Sequence, residues 1–198
     1  MKNVLRILLI LAMSASLLAC GGEKSSSADT KDKETVGEND LSEENLDNPG
    51  RVIKAMLESP NEELYEAFPI ELGIGAEVEK NVMDEIYEKE AKIKENWQEA
   101  VGDCFAEPMF EEFYNDWKRI YFLGYADMMG SSIEITDISA DELKDGIQHY
   151  HASIEMRHEE EEPETYSLEW RVIYNSKDPE LIEKIELLDL DGFGDTVG

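Results

Sequence analysis

The chain predicts an α+β domain, with N-terminal helices packed on one face of a curved, about four-stranded antiparallel sheet. Three observations carry this. Apolar residues recur at helical spacing between about residues 50 and 130. From Ile133 onward the apolar period drops from 3.6 to 2. Each later segment is greasy on one side and wet on the other, as in an antiparallel sheet covered on a single face.

The elements follow in order. Lys2 and Arg6 open the chain, and Ile7 to Leu18 is apolar apart from two serines. A charged start and a short greasy core are the layout of a secretory signal peptide. The run is shorter than the roughly 20 residues a bilayer-spanning helix needs. It ends in Leu17-Leu18-Ala19-Cys20. Leucine, a small residue and cysteine together at that point resemble the lipobox of bacterial lipoproteins. The resemblance implies cleavage between Ala19 and Cys20, with lipid on the Cys20 thiol. It places the protein on the extracytoplasmic face of the cell membrane, attached through its lipid. Gly21 rather than Asp follows the cysteine, so an outer membrane is open to it if the cell has two. Two or more acyl chains hold a protein stably where one does not, so the anchor implied by the family needs no help from the rest of the chain.

From Gly21 to about Asn48 the sequence is Gly, Ser, Lys, Asp, Glu and Asn, with almost no large apolar group. Such a segment cannot bury enough surface to offset the entropy of ordering. The expected organisation is therefore a signal over residues 1–19, a disordered tether over 20–48 and one domain over 49–198. The tether would reach roughly 30 Å. About 150 residues are enough for one real core.

Within the domain, Val52, Ile53, Met56 and Leu57 mark a first helix. Ser59-Pro60-Asn61-Glu62 reads as the start of a second, with a capping serine, proline at the first helical position and glutamate behind it. Pro69, Gly73 and Gly75 break the chain. A long helix is expected over residues 76–101, its stripe formed by Val78, Val82, Ile86, Ile93, Trp97 and Val101. Another is expected from Pro108 to Gly130, with Phe110, Phe113, Tyr114, Trp117, Ile120, Tyr121 and Met128 on one side. Strands follow at Ile133 and Ile135, at Tyr150 to Met156, at Tyr166 to Tyr174, and around Leu181, Ile185 and Leu187. The turns between them fall at Asp145-Gly146 and in the acidic run ending at Pro163. This order of elements resembles the cone-shaped folds of cystatins and nuclear transport factor 2-like proteins, although no clear strand interrupts the helices. The resemblance implies a pocket between helices and sheet.

The chain has 47 acidic and 18 basic residues, a net charge of −29. Lys2 and Arg6 would leave with the signal and no acid would, so the processed chain stands at −31. Nucleic acid is excluded as a partner, because binding it needs cations to displace counterions. Anionic headgroups repel such a surface. A basic protein or peptide is the favoured partner, and a simple solubilising coat is the plainer reading of the same charge. With Cys20 committed to lipid, Cys104 has no partner for a disulfide and reads as a buried thiol.

Four inward aromatic residues, Tyr150, Tyr166, Trp170 and Tyr174, would line the pocket or simply pack as core. No Asp or Glu stands among them, so a pocket enzyme would need an acid from a helix. His149 and His151 share a strand face at a spacing suited to Zn²⁺. In the expected hairpin, Glu169 and Arg171 lie across from Ser153 and His151, which places an opposing cation beside them. Asp189, Asp191 and Asp195 resemble part of a Ca²⁺ loop, with the first and last ligand positions unfilled; a frayed acidic C-terminus is the stronger expectation. No cofactor is required, and Ca²⁺ or Zn²⁺ are the two these patterns allow. The function expected is that of a membrane-anchored binding module; a pocket enzyme or apolar-ligand binder, and a divalent-cation-binding protein, are the alternatives.

Overall fold

The computed structural model describes residues 41–42, 44–67, 80–158 and 161–193. The signal, Cys20, most of the tether, Pro69, Gly73, Gly75, Val78 and Asp195 lie outside them. The described part is α+β, with α1 (Asn48–Leu57), α2 (Lys80–Val101), α3 (Met109–Asn115) and α4 (Tyr121–Met129) followed by β1 (Ser132–Ala140), β2 (Ile147–Arg157), β3 (Glu164–Tyr174) and β4 (Ile182–Asp189). The four strands form one antiparallel sheet in the order β1-β2-β3-β4.

Helix α1 starts at Asn48, one residue before the domain was expected to begin. Asp47 caps it, its Oδ1 accepting from Gly50 N at 3.0 Å, with proline in the first turn. Such a cap stabilises a helix by about 1 kcal/mol. Leu41 already packs against the core, so the domain reaches back into residues assigned to the tether. Val52, Ile53, Met56 and Leu57 are all buried. Each such side chain removed from water contributes about 1.5–3 kcal/mol.

The second helix start is not used. Ser59 exchanges backbone hydrogen bonds with Ile133, at 3.1 and 2.9 Å, and the chain turns over Asn61 to Leu64. A backbone committed to a strand partner cannot also open a helix. In α2 only the end of the stripe is core: Trp97 and Val101 are buried, while Val82 is 41% exposed. The single helix expected from Pro108 to Gly130 is broken at Asp116. Its side chain accepts from Lys118 N at 3.0 Å and starts a short 3₁₀ turn, Trp117–Ile120, before α4. Met128, expected in the stripe, is 66% exposed. Gly130 ends α4 at φ 62, a conformation that suits glycine.

The sheet keeps the expected faces. Tyr150, Ala152, Ile154 and Met156 of β2 and Tyr166, Leu168, Trp170 and Val172 of β3 are buried, and they join one core with residues of α1, α2, α3 and α4. Asp145 and Gly146, both at positive φ, make the β1–β2 turn, closed by paired Lys144 and Ile147 backbone bonds of 2.9 Å. The register of the next hairpin differs from expectation by two residues: Glu169 pairs with His151 and Arg171 with His149. A slide of two keeps every side chain on its face, which is why the periodicity alone could not exclude it. Register shifts in all but the β2–β3 pairing move inward positions by one. Ile182 is therefore the buried residue at the start of β4, and Leu181, expected there, is half-buried.

The tail is not frayed at Phe193. Its ring is fully buried, with centroids 5.0–6.2 Å from those of Tyr121, Phe122, Tyr125 and Tyr166.

Candidate functional site

Three polar settings surround the buried face. At one end of β2, Tyr150 donates to Asp47 Oδ2 at 2.6 Å, and the Tyr150 and Tyr174 hydroxyls are 3.0 Å apart. Tyr174 donates to Gln148 Oε1 at 2.8 Å. The acid missing from the inward strand face thus arrives from the cap of α1. Burial first, and then the hydrogen bond to Asp47, push the Tyr150 hydroxyl well above its ordinary value. It stays protonated and serves as a donor. Every hydroxyl here has a protein partner, so the cluster straps the start of α1 to the sheet.

The outer sheet face carries His149 and His151, both partly exposed. His149 Nδ1 lies 2.7 Å from Glu169 Oε1, and His151 Nε2 lies 3.6 Å from Asp141 Oδ2. Each histidine thus has its own carboxylate. Arg171 pairs with Glu186 across β4. At the C-terminal turn, Asp189 accepts from Asp191 N at 3.0 Å and Asp191 from Ser167 N at 3.2 Å. Those carboxylates shape a turn, and Asp195 lies outside the described residues. Among the described residues no three His, Cys, Asp or Glu side chains converge as a metal site.

The third setting is a groove of about 310 Å³ between the Asp116–Arg119 segment and β4. Its apolar lining residues are Met56, Phe113, Trp170, Ile185, Leu187 and Leu188, the first three of them buried and Leu188 exposed. A hollow of about 80 Å³ sharing Phe113, Asp116, Lys184 and Ile185 continues it. Six charged residues line it: Lys118, Arg119, Arg171, Lys184, Asp116 and Glu186. Glu186 is taken by Lys184 at 2.7 Å and by Arg171, which together hold its carboxyl below the ordinary value. Asp116 is taken by the Lys118 backbone N–H.

Arg119 and Lys118 are left without an ion pair among the described residues. Arg119 is half-buried, its guanidinium 4.0 Å from the Tyr114 ring centroid, and its Nε donates to the Tyr114 carbonyl. Burial pulls its pKa down from the ordinary value. Trp170, fully buried beneath the groove, has an indole N–H with no acceptor among the described residues.

Of the aromatic candidates, Trp170 alone lines this groove. Tyr150 and Tyr174 belong to the strap, and Tyr166 donates to Glu164 at 2.6 Å while its ring meets Phe193. Cys104 is fully buried, and that burial pushes its thiol up to about 12. It is no nucleophile at neutral pH. Asp47, Lys118 and Arg119 were missed by sequence reasoning. Asp47 was recoverable: Asp ahead of a proline and an apolar helical run is a cap signal. Arg119 left no such trace, because an arginine inside an aromatic stripe reads as a solvent-facing position.

No protein-family model matches the chain, and no curated protein matches it. No helix among the described residues is long and apolar enough to cross a membrane.

Proposed function

We propose that the chain is a lipid-anchored, extracytoplasmic binding module whose ligand sits in the groove beside Arg119. The anchor half of this reading rests on Leu17-Leu18-Ala19-Cys20 at the end of a short signal-like run. The binding half rests on one observation: the half-buried Arg119 lines a groove of mixed charged and apolar residues and makes no direct ion pair among the described residues, Glu90 and Asp116 acting on it only from farther away. Removing a charge from water is costly unless it is paired. A ligand that pairs it recovers that cost. The thiol of Cys104 and the hydroxyl of Tyr150, both held protonated, favour binding over nucleophilic or base chemistry. The acidic remainder of the surface draws cationic proteins or peptides at longer range.

The anchor is tested by replacing Cys20 with Ser in the native host and fractionating the cells. The unaltered protein sediments with membranes, and the variant moves to the soluble fraction. Unchanged sedimentation overturns the anchor. Binding is tested by unfolding the detergent-solubilised full chain in the presence of small neutral, cationic and anionic compounds and of Lys-rich peptides. At least one class raises the unfolding temperature, and a flat response across all of them overturns the module.

A further inference from the structure

We infer that the outer face of the sheet binds a divalent transition-metal ion, Cu²⁺ or Zn²⁺, chelated by the imidazoles of His149 and His151. This site stands apart from the groove, and neither depends on the other.

The register brings the two rings together. Residues two apart on a strand share a face, and these two lie on the face opposite buried Tyr150. Glu169 stands directly across from His151, yet its Oε1 meets His149 Nδ1 at 2.7 Å. Asp141, just past the end of β1, donates its backbone N–H to the His149 carbonyl at 2.9 Å, yet its Oδ2 meets His151 Nε2 at 3.6 Å. Each carboxylate thus sits beside one histidine and touches the other. Both contacts run diagonally, into the space between the two histidines, a reach that sheet geometry allows. The imidazole side chains are 39% and 41% exposed, so an ion meets them from solvent.

The spacing suits a chelate. Two residues along a strand span roughly 7 Å, and two nitrogens on one ion lie roughly 3–3.5 Å apart. Each ring therefore leans by roughly 2 Å toward the other, along the direction of the diagonal contacts. The protein supplies two nitrogens, no third side chain converging with them among the described residues, and water fills the other positions.

The carboxylates prepare the rings. A carboxylate on Nδ1 selects the tautomer with its proton there and leaves Nε2 bare for an ion, the arrangement common behind metal-bound histidines. Glu169 does this for His149. Asp141 lies too far from His151 for a hydrogen bond, so an ion displaces none, and its charge offsets that of the ion. Arg171, across from His149, is drawn to Glu186 on β4, the side away from the histidines. The cation expected to oppose a metal is thereby matched elsewhere. A net charge of −29 gathers cations at the surface. Imidazole donors favour Cu²⁺ over Zn²⁺, and hard Ca²⁺ prefers oxygen.

The test is a calorimetric titration of the full chain in detergent with Cu²⁺, Zn²⁺ or Ca²⁺ in a non-chelating buffer. Cu²⁺ binds more tightly than Zn²⁺, and excess Ca²⁺ does not displace it. His149→Ala and His151→Ala each weaken Cu²⁺ binding by about tenfold or more, and Glu169→Gln by about tenfold. His158→Ala changes nothing, because that ring is held by Ser131 at the other end of β2. Electron paramagnetic resonance of the Cu²⁺ complex shows coupling to two imidazole nitrogens, and to one in either single variant. Far-ultraviolet circular dichroism confirms that the variants, all at partly exposed positions, are folded. Cu²⁺ affinity unchanged in both His149→Ala and His151→Ala means ions scattered over the acidic surface and overturns the site. The absence of any Cu²⁺-dependent heat overturns it too. Either result leaves the groove reading standing.

Discussion

Trp97 and Trp170 are both fully buried in one core, yet their surroundings differ. The indole N–H of Trp97 donates to Leu64 O at 2.8 Å, its ring meets Phe113 edge-on at 5.8 Å, and Asn96 beside it holds Glu63 O at 2.7 Å. There a polar atom buried by packing is matched by one from the neighbouring turn, and the Arg119 guanidinium lies 5.7 Å from the ring centroid. Trp170 has the same burial and no acceptor among the described residues, beneath the groove that Lys118 and Arg119 line. An orphan buried donor costs about 1–3 kcal/mol. The two tryptophans show that burial alone does not separate scaffold from site. What separates them is whether the polar atoms nearby are satisfied.

The strongest challenge to this contrast is Phe193→Ala. Phe193 contacts Phe122, whose ring in turn lies 6.5 Å from that of Trp170. Losing it should destabilise the protein by about 3–5 kcal/mol in urea unfolding. A loss under 1 kcal/mol would mean that the tail does not close the Trp170 side. The contrast itself is read by replacing each tryptophan with phenylalanine. Trp97→Phe loses a hydrogen bond and strands the Leu64 carbonyl, whereas Trp170→Phe removes an orphan donor. The first should cost more than the second by about 1–3 kcal/mol. Equal costs would erase the distinction.

The strap at the far end of β2 supplies a smaller check. Tyr150→Phe removes the bond to Asp47, whose carboxylate is exposed and can turn to water, so the loss should be about 1 kcal/mol. Acid supplies another at the groove. Lys184 and Arg171 lower the pKa of Glu186, so its contribution is present above the ordinary carboxylate pKa, about 4, and is lost as pH falls through the lower folded value. Glu186→Gln should flatten that limb of the stability–pH curve. On the alkaline side Cys104 acts in the opposite sense. Its folded pKa is raised to about 12, so its contribution is present below about 9 and is lost as pH rises toward 12. At pH 8 it should react with a thiol reagent only at the rate of unfolding, and Cys104→Ala should remove that slow phase.

Much of the sheet was legible because strand faces are a local property. The alternation of Tyr150, Ala152, Ile154 and Met156 needs no knowledge of the partner strand, and all four are buried. Register is not local: Glu169 faces His151 because of how the hairpin closes, and a two-residue slide leaves the pattern unchanged. The break at Asp116 was hidden for a related reason. Phe110, Phe113, Tyr114 and Ile120 keep helical spacing through it, while the cap that ends the run is one hydrogen bond to Lys118 N.

The amino-acid order by itself determined the α+β class, the inward faces of β2 and β3, and the pattern resembling a lipoprotein signal, since each is written in neighbours a few residues apart. Only the tertiary structure decided that Phe193 is core, that Asp47 ties α1 to Tyr150, and that Arg119 lines a groove beside β4 without a direct ion pair among the described residues. Those are facts about which distant side chains meet. Whether a charge or an indole N–H is satisfied depends on atoms dozens of residues away, and no local period encodes it.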